Sequence, residues 1–467
     1  MDTWVKQKGY PVINVRQDGH RLYLSQRRFL STPPESEASK TSDISPFGYK
    51  WVIPITIITD RMPDSRLIWF NTSEMWIPFE ENIKWFKLNA NQSGFYRINY
   101  EQDVWRSLSE VLIEHTYNRH VLTSTDRANL IDDAFALMKT GALDVNIAMK
   151  LTLYLRNGER DYVPWETSLY HFGIMDTVML QNPLLQKFIC GLIEPLITIW
   201  GWKDHPQDLM LVRKLRALLL RAAVSYGDRQ SIQVANRYFQ SWVTNNTKIP
   251  VNLREVVYNT GVQYGGHKEW THVWNKYLNT TIPSEKKLLL GALGSTRNAY
   301  LLAKYLNSSL DKNQIKTQDT VHVITVVSHN PIGRDMVWRF VRENWHQIIK
   351  LFGEGSFSMD SIITETVWHF STRFELKEVD DFFRSVSVGS GQQAVEQCLE
   401  KIRANIFWKD NIEKSVIQWL ERHNTEWNNW LIHSLALVWM LGTGIHWNQC
   451  QKKRSSSPTL IICCQLI

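Results

Sequence analysis

Apolar positions change period once along the chain, near residue 100. Before it, Ile13 and Val15 alternate with polar residues, Asp18-Gly19 supplies a turn, and Leu22 and Leu24 resume the alternation; this predicts a β-hairpin. Ser31 to Gly48 is rich in Ser, Thr, Pro and Glu and reads as an exposed loop. Trp51 to Ile58 returns to strand composition, with Pro54 marking an edge or a bulge. Apolar runs at Leu67 to Phe70, Trp76 to Phe79 and Ile83 to Leu88, separated by turn residues, complete a small β-sandwich.

From Asp103 onward the period is about 3.6. Ser124 or Thr125 can cap a helix that ends at Gly141, with Ile131, Ala134, Phe135 and Met138 on its core face. Similar segments recur at Val145 to Leu155, Leu211 to Tyr226, Ser231 to Val243, Lys286 to Leu293, Ala299 to Leu306, Thr320 to Val327, Arg334 to Leu351 and Gln392 to Trp408. Short helices with short joins over some three hundred residues predict an all-α superhelical array of the HEAT or armadillo kind, without a strict repeat. The fold class is therefore multidomain, β followed by α. After about Leu420 the pattern stops. Trp430 to Ile445 is apolar but shorter than the roughly 20 residues of a spanning helix, so a packed or unstructured end is favoured over a membrane-associating one.

Composition narrows the class. A net charge of +7 over 467 residues is too dilute to indicate nucleic acid, and the 21 Trp are the unusual count. Where Trp and Arg interleave, as at Trp338, Arg339, Arg342 and Trp345, helical spacing puts Trp inward and Arg outward. The five Cys make no C-x-x-C pair, and Cys190 and Cys398 sit in apolar helical segments as inert thiols would. Met1 to Tyr10 has neither a signal peptide's nor an anchor's apolar core. N-x-[ST] sequons at Asn71, Asn91, Asn245, Asn279 and Asn307 are candidate glycosylation sites.

Catalytic chemistry is hard to assemble. No His-Glu dipeptide occurs, and the pairs His115/His120 and His267/His272 are five apart, about 140° around a helix; surface or capping roles suit them better than a metal. Asp132-Asp133 diverge by about 100° and read as carboxylates favoured by a helix dipole. Gly353-Glu354-Gly355 and Gly389-Ser390-Gly391 complete no phosphate-binding motif and read as turns between helices. Asn330 to Arg334 reads as a helix break and restart, with Trp338, Val341 and Trp345 as core. No catalytic, cofactor-binding or metal residue is assigned.

Longer motifs carry a resemblance. The opening Met1-Asp2-Thr3-Trp4-Val5-Lys6-Gln7-Lys8-Gly9-Tyr10-Pro11-Val12 is similar to the segment that closes the catalytic domain of the gluzincin zinc aminopeptidases, the family of aminopeptidase N and glutamyl aminopeptidase. Asn91 to Tyr100 resembles that family's junction between sandwich and helical domain. Asp126 to Phe135, Tyr162 to Trp165, Asn330 to Trp345, and Gly389 through Trp408 follow in its order. Ser124 to Met138, Pro250 to Arg254 and Leu310 to Asp319 look most like its glutamyl aminopeptidase branch.

The resemblance implies four parts: 1–10 the end of a catalytic domain, 11–100 a β-sandwich, 101–425 an ERAP-like helical domain, and 426–467 an atypical tail. It implies a region that caps the active-site cavity and supports folding and dimerisation of a peptide-cleaving enzyme. The zinc helix, the downstream Glu ligand, the amine-binding motif and the transition-state Tyr of the family have no counterpart here, so zinc belongs to the full-length family and none is expected on this chain. Partners by resemblance are a peptide substrate and a second copy through the helical domain, with no nucleic acid, and with membrane attachment only through an N-terminal anchor that this chain lacks. The family's location is the plasma-membrane exterior or secretory pathway. The competing readings are a non-catalytic truncated isoform that pairs with the full-length aminopeptidase and, less favoured, an unrelated helical scaffold.

Overall fold

The computed structural model describes residues 1–31, 45–61, 66–79, 83–114, 122–353 and 357–424. Most of the Ser31 to Gly48 loop, His115/His120 and the tail lie outside them.

Alternating burial builds two sheets. Strands β1 (Pro11–Asp18) and β2 (Arg21–Arg28) form the antiparallel hairpin, with Asp18 opposite Arg21. The connection is therefore Gly19-His20, one residue later than expected, and Gly19 takes the positive φ of +55°. β3 (Ile53–Thr59), β4 (Arg66–Phe70), β5 (Glu74–Pro78), β6 (Phe86–Leu88) and β7 (Arg97–Tyr100) follow. Their orders are β5-β2-β1-β7 and β4-β3-β6, with β7 parallel to β1. Ile13, Val15, Leu22 and Leu24 from one sheet and Ile53, Ile55, Phe70 and Leu88 from the other share one core. Pro54 lies on β3 opposite Trp69 of β4, before the stretch that pairs with β6 begins at Ile57. Its missing N–H thus costs no ladder bond on the β6 side. Gln26, buried on β2, bridges the layers: its amide nitrogen donates to the Trp51 and Thr72 carbonyls, and its oxygen accepts from Trp51 N–H.

The helix at Ser124–Lys139 is capped one residue earlier than expected, by Thr123. Its hydroxyl accepts from the Asp126 N–H while the Asp126 carboxylate accepts from Thr123 N–H. At the far end Gly141 takes φ +74°, Gly141 N–H bonds the Met138 carbonyl and Ala142 N–H the Leu137 carbonyl, closing a Schellman motif. Two other expected helices are broken. Val145 to Leu155 is a short helix, Val145–Lys150, plus a 3-10 turn, Leu153–Arg156. Arg334 to Leu351 divides at Asn344 into Arg334–Glu343 and Trp345–Phe352.

Further helices complete the array, among them Tyr162–Val178, Pro183–Trp200, Arg254–Tyr264, His267–Asn279, Phe357–Val367 and Arg373–Ser385. Pro195 lies inside Pro183–Trp200, where it frees the Gly191 carbonyl, and the Arg156 guanidinium donates to that carbonyl instead. Pro183–Trp200 is, among the described residues, the one helix long and apolar enough to cross a membrane, and its Leu185, Phe188, Ile189, Leu192, Ile193 and Leu196 are buried in protein.

The array curls back on itself. One apolar core runs from the sandwich to Ala223 and resumes at Trp408, Ile412, Val416, Trp419 and Leu420; a second spans Leu220 to Ile406. Helix 392–411 and the helical residues 413–424 therefore rest on the first helices. Three hydrogen bonds close the seam: Lys409 to the Val178 carbonyl, Trp419 to Asn146 and Asn424 to the Leu184 carbonyl. Of the Trp expected as anchors, Trp338 and Trp345 are buried and Arg339 is exposed. Arg342 lies over the Trp338 ring at 4.9 Å and pairs with Glu378.

Candidate functional site at the sheet–helix junction and inner face

The junction between sheets and helices is built from buried charge. Asn89 adopts a left-handed backbone (φ 58°), and its amide folds the following loop by bonding Gly94 N–H, the Gly94 carbonyl and the Tyr96 carbonyl. This sets Arg97 on β7 against the helix Ser124–Lys139. Arg97 meets Asp132 at 2.6 Å and Asp133 at 3.0 Å. Asp133 also accepts from Ile98 N–H at 3.0 Å. Burial pushes its carboxyl up to about 6, against the pull of Arg97. Burial also opposes ionisation of Asp132, but the hydrogen bond from His171 and the Arg97 charge win and hold it at about 2. The adjacent carboxylates thus serve as ties between strand and helix. The dipole explanation fails, because both lie mid-helix.

Lys87, fully buried on β6, completes the junction. Its amine reaches Asp126 at 3.1 Å, Asn129, and the Leu88 and Asn89 carbonyls. Burial lowers its pKa and Asp126 resists that. Arg127 next door binds Glu159 through two nitrogens, at 2.7 and 3.0 Å, and the exposed Asp161 at 2.6 Å. Asp161 immediately precedes Tyr162–Val178. Neither Lys87 nor Arg127 stands out by period; the available signal was charge inside a run otherwise apolar on several faces.

The curl brings a second polar group together across the array. The charge of Arg334, 158 positions later, reaches Asp176 without an ion pair between them; burial lifts Asp176 to about 6 while Arg334 pulls it down. His329 stands 3.4 Å from Glu365 and meets the Trp368 ring edge-on at 4.7 Å. His369, 7% exposed, is held at about 3 by burial, with Arg334 and His329 adding to the shift, and neither ring nitrogen finds a partner. The motif Asn330 to Arg334 positions Arg334: Asn330 donates to the Gly294 and Thr296 carbonyls and accepts from Ile332 N–H. This cluster offers hydrogen-bond donors, acceptors and one cation to a polar chain, and it holds no activated nucleophile.

The two thiols among the described residues, Cys190 and Cys398, are withdrawn from chemistry. Burial pushes both Cys190 and Cys398 up to about 12, and each S–H points at a carbonyl, of Tyr226 and Ile363. Gly389–Gly391 is a 3-10 turn leading into Gln392–Asn411, with Gly391 against Ile363. His267 is exposed at its helix start, while His272 packs edge-on against Trp242 at 4.7 Å. Asn71, Asn91, Asn245, Asn279 and Asn307 are all exposed. Asn91 is engaged by the Thr123 hydroxyl, and Ser309 of the Asn307 sequon is buried.

Among the described residues no three His, Cys, Asp or Glu side chains converge as metal ligands, so the residues present do not fit the metal and no zinc step is assigned to them.

Residues 85–404 match the ERAP1-like C-terminal domain. Human (Homo sapiens) glutamyl aminopeptidase is 32% identical over 435 residues, covering 90% of this chain and 43% of that protein. Bovine (Bos taurus) aminopeptidase N is 32% identical over 444 residues, covering 91% and 44%. The rat (Rattus norvegicus) thyrotropin-releasing hormone-degrading ectoenzyme is 32% identical over 438 residues, covering 90% and 40%. The chain spans less than half the length of the curated relatives it matches.

Proposed function

Since the chain belongs to the ERAP1-like C-terminal domain family and corresponds to the C-terminal half of an aminopeptidase, we propose that it caps the substrate cavity of a zinc enzyme removing N-terminal residues from peptides. The observation that carries this reading is the closed array and the polar cluster of Asp176, His329, Arg334, Glu365 and His369 on it. Such a surface can hold the polar backbone of a peptide and cannot cut it. Residues 1–10 belong in this reading to the catalytic part. Trp4, whose indole donates to the Val52 carbonyl, docks that part on the sandwich, so that 11–100 and 101–425 act as its support in folding. Leu209, Met210 and Leu211, 74%, 67% and 51% exposed, favour self-association through the helical region. The one relative named an ectoenzyme supports an extracytoplasmic location, where Asn71, in the bend between β4 and β5, is the sequon best placed for glycan.

The test is substrate length. The chain joined to a relative's catalytic segment should cleave a decapeptide and a single-residue anilide. Arg334→Ala should lower kcat/KM for the decapeptide about tenfold and spare the anilide. Equal losses on both substrates would remove the capping role.

A further inference from the structure

A cavity of about 170 Å³ lies where the array closes on the sandwich. That is close to the roughly 150 Å³ in which a single aromatic ring binds. Phe29 from the sandwich, Phe135, Met138 and Ile174 from the first helices and Trp408 from the last long helix form its apolar wall. Three stretches distant in sequence therefore meet around one small space.

Its polar side is incompletely satisfied. Lys139 lines the cavity, and its amine faces that of Lys401 on Gln392–Asn411. Among the described residues no acidic group partners either amine, and burial together with Lys401 pushes Lys139 down to about 7. An anion beside the two amines would favour the charged form of both. Asn405, one turn after Lys401 and 1% exposed, also lines the cavity. Its amide nitrogen is committed to the Trp368 and Phe370 carbonyls, which fixes the side chain and leaves its oxygen without a donor. Asp132 in the same wall would repel an anion; Arg97, which it shares with Asp133, offsets part of its charge.

We propose that this cavity binds a small α-substituted aryl carboxylate. The carboxylate sits on Lys139, which lines the cavity with Lys401 beside it, the ring lies among Phe135, Ile174 and Trp408, and an α-hydroxyl or α-amino group donates to the Asn405 oxygen. A ligand held by all three stretches also holds the seam closed. This site is independent of the capping role.

The experiment uses the full chain and four probes: phenyllactate, phenylalanine, phenyllactamide and lactate, followed by calorimetry and thermal unfolding. Saturable binding of phenyllactate or phenylalanine is expected, with Kd of about 1 mM or tighter and a raised Tm; which of the two binds better identifies the α-donor. The amide, lacking the carboxylate, and lactate, lacking the ring, should each bind at least tenfold more weakly. Lys139→Met and Lys401→Met should each weaken the aryl carboxylates about tenfold and leave the amide unchanged. Equal binding of acid and amide by the unmutated chain, or no saturable binding of either aryl carboxylate by 10 mM, would overturn the proposal whether or not the variants fold.

Discussion

Lys87 shows how a buried charge organises this chain. Its amine has four oxygen partners within hydrogen-bonding distance and no solvent. Lys87→Met would leave Asp126 buried without its cation, and unfolding in urea should show a loss of about 3–5 kcal/mol. His369 gives a pH signature of the opposite kind. Its folded pKa of about 3 lies below the ordinary value of 6.5, so between these limits the unfolded chain binds a proton that the folded chain refuses. Stability from this group is present above pH 6.5 and falls as pH drops toward 3. Asp133 and Asp176, both raised to about 6, act the other way between about pH 4 and 6, so the comparison must be made against a variant. From pH 7 to 4.5 the native chain should lose on the order of 2 kcal/mol relative to His369→Gln. Parallel stability curves would show that His369 does not titrate as its burial implies.

At the scale of elements, two close contacts carry predictions. A Cβ on Gly261 would lie 2.1 Å from the Phe239 ring, so the helices Arg229–Asn245 and Arg254–Tyr264 approach as they do because residue 261 has no side chain. Gly261→Ala should cost about 1–3 kcal/mol in thermal unfolding, despite alanine's better helix propensity. Arg156→Met should cost about 1–2 kcal/mol by stranding the Gly191 carbonyl that Pro195 releases. The same contacts show what was legible beforehand. The hairpin was readable because Leu22 and Leu24 face one core and their neighbours do not. Pro183–Trp200 was legible only as an apolar helical segment around Cys190; its passage through Pro195 was not, because an interior proline argues against a helix and the partner that rescues it lies 35 residues upstream. Asn344 divided a continuous apolar period, which carries no information about where the axis turns. The candidate site was less legible than the fold. Asn330 to Arg334 was visible as a break, but its value is the placing of the Arg334 charge within reach of Asp176, a proximity that only the curl of the array creates.

The whole molecule is a sandwich fused to a ring of helices by one shared core, closed where the helical residues 413–424 return to the first helices. On the proposed reading the helices shape the substrate space and a catalytic segment supplies the chemistry. The most direct measurement is zinc-dependent, amastatin-sensitive hydrolysis of aminoacyl substrates by the purified 467-residue chain, alone and after joining to a relative's catalytic segment. The account predicts no such activity alone and activity in the joined protein. Hydrolysis by the chain alone at a rate comparable to the joined protein would contradict it.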